Sequence, residues 1–220
     1  TNLGSVYTWG YQSWDGSGSS GTSGNPVHKL SLSVVVSDVL CGDSACFAIE
    51  NSTGNVYGWG AGSLVSGNTP TLLNGGVSGS LWAPQNALSK FWPGGAYHFA
   101  GLRKSDGKLV MWGNGTQYQL GSPQSAIITN PITSSELESV IGNAGYMSVS
   151  LGASHTLVLT YTGVLVSFGA NDYGQCGRGG GTALAPGTLS LGSGTTVVSI
   201  AAGNYHSLAI SNGKIYVWGR

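Results

Sequence analysis

One short phrase is written four times along this chain, and that repetition limits the possible folds more than any other feature. Its clearest copy is GNYHSLAISNGKIYVWG, residues 203–219. This copy divides into two apolar strands, 206–210 and 215–218, joined at Asn212-Gly213, a dipeptide that favours a two-residue hairpin turn. The pattern also reads GDSACFAIENSTGNVYGWG from Gly42, GAYHFAGLRKSDGKLVMWG from Gly95 and GASHTLVLTYTGVLVSFG from Gly152. The opening glycines are 53, 57 and 51 residues apart, and a partial fifth copy, VYTWG, occupies 6–10.

Each copy is preceded by a further short run suited to a buried strand, at 33–40, 87–92, 147–151 and 197–201. Gly/Ser/Thr-rich connectors separate the units, and each carries a proline near a few apolar residues: Pro26, Pro70, Pro131 and Pro186. Proline cannot donate to a central ladder, so these positions predict a fourth, outer strand per unit. Helix signals are nearly absent; 135–140 suits one helical turn, with Ser135 and Glu138 at capping-box spacing. Short antiparallel strands recurring every ~50 residues with a Gly/aromatic signature predict an all-β fold, a β-propeller of about four blades. A single such sheet cannot bury both faces, whereas stacked sheets cover one another. A linear β-solenoid is the second choice, since it favours shorter and more uniform rungs.

Composition narrows the function classes. Only 7% of residues are charged and the formal net charge is zero, so nothing steers the chain to nucleic acid or to anionic lipid. No apolar run approaches the ~20 residues of a membrane-spanning helix, so no membrane insertion is expected. Despite 38 glycines, 40% hydrophobic residues and seven tryptophans argue for an ordered core.

The phrase G-x-x-H-S/T-L, then G-x-(I/V)-Y-x-W-G, then a polar stretch ending Gln-Leu-Gly resembles the repeat of the regulator of chromosome condensation family. Residues 203–219 match it almost letter for letter, and the polar stretch recurs as GNGTQYQLG from Gly113 and GANDYGQCG from Gly169. The first copy departs most, with Ala45 at the histidine position and GAGSLVSG in place of the Gln-Leu-Gly stretch. The resemblance implies seven-bladed propellers. The strand at 6–10 is of the same type as that at 215–219, so the ends cannot complete one blade between them. The expectation is one incomplete propeller domain over 1–220, a segment of a seven-bladed ring, with completion by another subunit as the other possibility.

No catalytic residue, cofactor site or metal site is expected. His98, His155 and His206 are equivalent by repeat, and residues related by rotation about a propeller axis do not converge on one ion. Their expected role is structural, with ring nitrogens satisfying backbone groups at the turn. Trp9, Trp59, Trp112 and Trp218 end the Trp-Gly strands and read as packing between blades. Trp14 and Trp82 fall outside the repeat and are the candidate surface-binding aromatics. GSGSSG at 16–21 has the spacing of a dinucleotide fingerprint without the strand and helix that would make it one. Cys41 and Cys46 flank a tight turn and suit either a cross-strand disulfide or two small buried thiols. Asn51 and Asn114 open glycosylation sequons.

These features suggest a non-enzymatic scaffold or protein-interaction propeller. The sequons and the cysteine pair place it in an extracellular, cell-surface or fibrous assembly, its partners being other proteins, further copies, or glycans. The resemblance implies the alternative, a regulatory propeller such as a small-GTPase exchange factor or a ubiquitin-ligase-associated domain, with a cytoplasmic or nuclear setting. A lectin-like or enzyme-inhibitor propeller is a third reading.

Overall fold

A computed structural model describes residues 5–11, 24–43, 45–60, 64–65, 67–74, 82–92, 95, 97–124 and 126–220. Its strands are β1 (Tyr7–Tyr11), β2 (Gly24–Lys29), β3 (Val36–Cys41), β4 (Ala45–Glu50), β5 (Val56–Gly60), β6 (Gly67–Leu72), β7 (Leu88–Trp92), β8 (His98–Arg103) and β9 (Leu109–Asn114). There follow β10 (Ile127–Ile132), the helix α1 (Ser135–Ile141), β11 (Tyr146–Leu151), β12 (His155–Thr160), β13 (Leu165–Ala170), β14 (Ala183–Thr188), β15 (Val197–Ala202), β16 (His206–Ser211) and β17 (Lys214–Gly219).

Three sheets are four-stranded and follow chain order, β3 to β6, β7 to β10 and β11 to β14; β15 to β17 form a three-stranded sheet and β1 with β2 a two-stranded one. The repeated phrase falls on the second and third strands of each sheet. The proline strands β2, β6, β10 and β14 are the outermost, as their missing N–H requires. The last hairpin closes as its sequence predicts: Ser211 pairs with Lys214, and Asn212 and Gly213 between them have φ of 50° and 72°, the left-handed pair of a type I′ turn.

The chain divides into two compact units, one comprising Thr1–Phe91, Gly101–Gly107 and Thr129–Pro131, the other Trp92–Ala100, Lys108–Ile128 and Ile132–Arg220. In the first, Phe47 stacks on Trp82 at a centroid distance of 6.0 Å and meets Phe91 at 6.3 Å. A second cluster joins Leu30, Ala48 and Trp59. Asp38 accepts the Phe91 N–H at 2.8 Å, tying β3 to β7. In the other unit β12 and β13 are buried along their whole length, which requires apolar cover on both faces of the sheet. Leu157, Leu159 and Leu165 meet Val197 and Ala209 of the following sheet. Burying a leucine contributes roughly 2 kcal/mol, so this junction is a main source of the unit's stability. Ser150 accepts the Ala202 N–H at 2.8 Å, so the first strands of β11–β14 and β15–β17 are also stitched together.

Three expectations need correction. Trp82 is only 2% exposed, so it is a core residue under Phe47 and not a surface aromatic. Trp9 is 69% exposed, so it does not pack between sheets here. The helix is capped by Ser134, whose side chain accepts the Leu137 N–H at 3.0 Å, so Ser135 and Glu138 form no capping box. A 3-10 turn at Pro84–Asn86 had no sequence signal beyond its proline. Trp14 and the 16–21 stretch lie outside the described residues.

Candidate functional site

Three chemical groups recur where one repeat meets the next within the second unit. His98 Nε2 lies 2.9 Å from the Thr156 hydroxyl, and Thr156 donates to the Gln119 carbonyl at 2.9 Å. One repeat later, His155 Nε2 lies 2.8 Å from the Ser207 hydroxyl, and Ser207 donates to the Gln175 carbonyl at 2.8 Å. A histidine opening the second strand of one sheet is therefore bridged to the Gln-Leu/Cys-Gly loop of its own repeat. The bridge is the hydroxyl residue that follows the next histidine. Trp218 Nε1 donates to the same Gln175 carbonyl at 2.8 Å.

The bonding fixes the tautomer. Each hydroxyl has one proton and gives it to a glutamine carbonyl, so the proton between the rings and the hydroxyls belongs to Nε2. In this tautomer Nδ1 carries the lone pair. Burial is the main force on these rings: it pushes His98 down to about 3, helped by the charge of His155 and opposed by the Ala153 backbone, and His155 down to about 4, helped by His206. Both are neutral at ordinary pH.

The glycine three residues before each histidine is a spacing requirement. A Cβ on Gly152 would sit 2.2 Å from His155 Cε1 and 2.7 Å from the Gly203 carbonyl oxygen, so the ring lies flat on the glycine. The glycine that ends each Trp-Gly strand has a second constraint: Gly169 has φ of 106°, and its Cβ would meet the Ser154 carbonyl at 2.6 Å. Hence G-x-x-H and W-G are two halves of one packing device.

A histidine beside a hydroxyl invites comparison with a base and its nucleophile. The geometry denies it. Thr156 and Ser207 are fully buried, their protons are committed to carbonyls, and the histidines donate to them instead of accepting. No group of three or more His, Cys, Asp or Glu that could hold a metal occurs among the described residues.

The lock positions one end of the sheets. There the loop before each second strand is hydrogen-bonded to the loop after each third strand: Asn114 N–H to the Tyr97 carbonyl at 2.8 Å, Ala170 to Ser154 at 2.7 Å and Arg220 to Tyr205 at 2.9 Å. Tyr97, Tyr173 and Tyr205 stand exposed on these loops. Tyr173 and Tyr205 meet edge to face at 5.2 Å, and the Arg220 guanidinium lies 5.0 Å over the Tyr173 ring.

The remaining candidates separate cleanly. Cys41 and Cys46 are cross-strand partners with Cα atoms 4.1 Å apart and are joined by a disulfide. Asn51 is exposed at the β4–β5 hairpin tip, where Glu50 accepts from Ser52, Thr53 and Asn55; the Thr53 bond above all holds its carboxyl below the usual range. Asn114 is half-buried, and its amide oxygen accepts both the N–H and the hydroxyl of Thr116. Trp59 and Trp112 are buried in the core. His98 and His155 are structural, but their Nε2 partner is a hydroxyl of the next repeat instead of a backbone group. The hydroxyls were overlooked, although a signal existed: Thr156 and Ser207 each follow a copy that has histidine, whereas Phe99 follows the copy with Ala45. The exposed tyrosines had no signal beyond lying in loops.

Comparison with known proteins gives the same reading of the repeats. The Regulator of chromosome condensation (RCC1) repeat matches residues 106–159 and 162–210, and a second description of that repeat matches 148–175. The chain is 31% identical over 224 residues to the ultraviolet-B receptor UVR8 of Arabidopsis thaliana, covering 97% of the chain and 48% of the receptor. It is 31% identical over 221 residues to the human E3 ubiquitin-protein ligase HERC2, covering 95% of the chain and 4% of the ligase. It is 34% identical over 122 residues to the guanine nucleotide exchange factor SRM1 of Saccharomyces cerevisiae, covering 52% of the chain and 24% of that protein. Among solved structures, yeast RCC1 (Prp20) bound to Kap60 superposes with a TM-score of 0.75 at 21% identity, over 98% of this chain and 52% of that one. The chain therefore spans about half the length of the receptor and of the yeast structure.

Proposed function

Because this chain is an RCC1-type repeat propeller, we propose that it is a regulatory protein-interaction domain which presents its Trp-Gly loop end to another protein. One observation carries the reading: Tyr97, Tyr173 and Tyr205 stand exposed on loops whose bases are fixed by the buried His–hydroxyl–Gln lock. Tyrosine supplies large contact area at low entropic cost when its backbone is already held. The blades act as a scaffold and carry out no chemistry. The three relatives, a receptor, a ligase and an exchange factor, support a regulatory role over the extracellular structural one, which draws no support from them. The cytoplasmic or nuclear setting goes with the regulatory role.

Similarity to SRM1 favours a small GTPase as the first partner to try. The test titrates a purified small GTPase, GDP-bound and nucleotide-free, against the chain and against a variant with Tyr97, Tyr173 and Tyr205 all replaced by alanine. Saturable binding to the chain, lost in the variant at unchanged Tm, is the expected result. Accelerated GDP release would assign exchange activity as well. Binding that survives the triple replacement would remove the loop end from consideration.

A further inference from the structure

The turn that opens the first repeated hairpin is built without the lock. Its Gly42 N–H bonds to the Ala45 carbonyl at 2.9 Å, just as Gly152 bonds to His155 at 2.8 Å and Gly203 to His206 at 2.9 Å. The chemistry differs at both lock positions. Ala45 stands where the other copies have His98, His155 and His206, and Cys46 stands where Thr156 and Ser207 supply the bridging hydroxyl. Just before the opening glycine is Cys41, where the other copies have Gly94, Leu151 and Ala202, and a disulfide joins it to Cys46. The copy that lacks the histidine is thus the copy whose turn is bracketed by cysteines.

We infer that the Cys41–Cys46 pair is a thiol-responsive staple: oxidised, it holds the 42–45 turn in place of a His–hydroxyl bond, and reduced, it releases that turn. The two cysteines are only five residues apart on strands that are already paired, so the bond closes a short loop and acts on the turn more than on global stability. Cys41 is exposed, while Cys46 is half-buried against Leu30, Ala48 and Trp59. Exposed disulfides are the labile ones, whereas structural ones resist the glutathione pool. Reduction takes two small thiols such as glutathione. The thiolate of the first attacks the Cys41 sulfur, forming a mixed disulfide there and expelling the Cys46 thiolate, which takes up a proton. The second resolves the mixed disulfide, leaving two cysteine thiols and one glutathione disulfide, which carries away the oxidising equivalents. In a cytoplasmic or nuclear setting such pairs are redox-sensing or catalytic, a point that rests on the regulatory reading above. Cys176 is fully buried and takes no part.

The test holds the full chain, without denaturant or partner protein, in glutathione buffers of stepped thiol-to-disulfide ratio. Peptide mass after alkylation and amide hydrogen exchange are the readouts. Cys41 and Cys46 should become alkylated together as the ratio rises, with Cys176 unlabelled. Exchange at Gly42 should quicken by about tenfold on reduction, while Gly152 and Gly203 keep their rates. Replacing both Cys41 and Cys46 by serine should give the fast Gly42 rate at every ratio. His155→Ala, the matching loss in a locked repeat, should quicken Gly152 by a similar factor at every ratio. Three results would overturn the inference: a disulfide that glutathione cannot reduce in the folded chain, a Gly42 rate indifferent to the ratio, or an acceleration shared equally by Gly152 and Gly203. No partner enters these measurements, so a failed GTPase titration and a failed redox titration are separate outcomes.

Discussion

Replacing Gly152 by alanine tests the lock at its tightest point. The new Cβ would lie 2.2 Å from Cε1 and 2.3 Å from Nδ1 of His155, where carbon contacts settle at about 3.5–4.0 Å. The ring must retreat by more than an ångström, and its 2.8 Å bond to Ser207 cannot survive that shift. Overpacking costs about 1–3 kcal/mol. Stranding the buried Nε2–H costs about 1–3 kcal/mol more. A total near 3 kcal/mol lowers Tm by roughly 6–12 °C in a chain of this size. Gly203→Ala is the matched control. Its Cβ meets only the ring of His206, which is exposed and free to swing away, so the expected loss is below about 0.5 kcal/mol. Urea unfolding of both variants supplies the numbers, and a cycle with His155→Ala supplies the cause. With the ring gone, Gly152→Ala retains only its contact with the Gly203 carbonyl, so the pair should couple by at least ~1 kcal/mol. Equal costs at Gly152 and Gly203, or additive behaviour in the cycle, would refute the claim that glycine is there to seat the ring.

Acid should loosen the second unit through the same histidines. Their folded values, about 3 and about 4, lie below the unfolded value near 6.5, so the unfolded chain binds more protons; the contribution is whole above about pH 6.5 and fades as pH falls towards 4. Stability should drop by roughly 1.4 kcal/mol per pH unit per histidine in that window, and His155→Gln should remove one histidine's share of the slope measured by urea titration at stepped pH. Burial pushes the Cys176 thiol up to about 12, so a thiol reagent at pH 8 should label nothing in the native chain, one site on unfolding and three after reduction. More than one site in the unreduced, unfolded chain would contradict the Cys41–Cys46 bond. Tyr118 holds a φ of 65° where its repeat counterpart is Gly174 at 75°; Tyr118→Gly should therefore stabilise by about 0.5 kcal/mol, relief of the left-handed strain slightly exceeding the entropy of glycine. A loss on thermal melting would show instead that the tyrosine ring contributes more than its backbone costs.

The repeat made most of the fold legible. Strand order inside each sheet followed from spacing, and the four prolines marked the outer strands because a missing donor is tolerated only at an edge. The hairpin at Asn212-Gly213 was equally plain, since few residues accept two left-handed positions in succession. Individual tryptophans were less legible. Trp82 has no repeat counterpart, and its burial depends on Phe47, some 35 residues earlier. Trp9 has the right repeat position, but among the described residues β1 pairs with β2 alone. The lock was only half legible: glycine and histidine stood out, whereas serine and threonine are too common in this chain to single out Thr156 and Ser207 without coordinates. The helix cap fell to Ser134 because its side chain also donates to the Gly121 carbonyl, a tertiary partner that local spacing does not reveal.

The prolines of the outer strands have a consequence beyond topology. Every four-stranded sheet here ends in a strand that cannot offer an unbroken row of donors, so the outer edges of these sheets resist pairing with the same edges of another molecule. Several sheets can thus be strung on one charge-poor chain at high local concentration without fusing into fibrils, a protection that surface charge provides in most proteins. Replacing Pro70 and Pro186 by threonine should leave Tm nearly unchanged while shortening the lag before thioflavin-positive aggregates form.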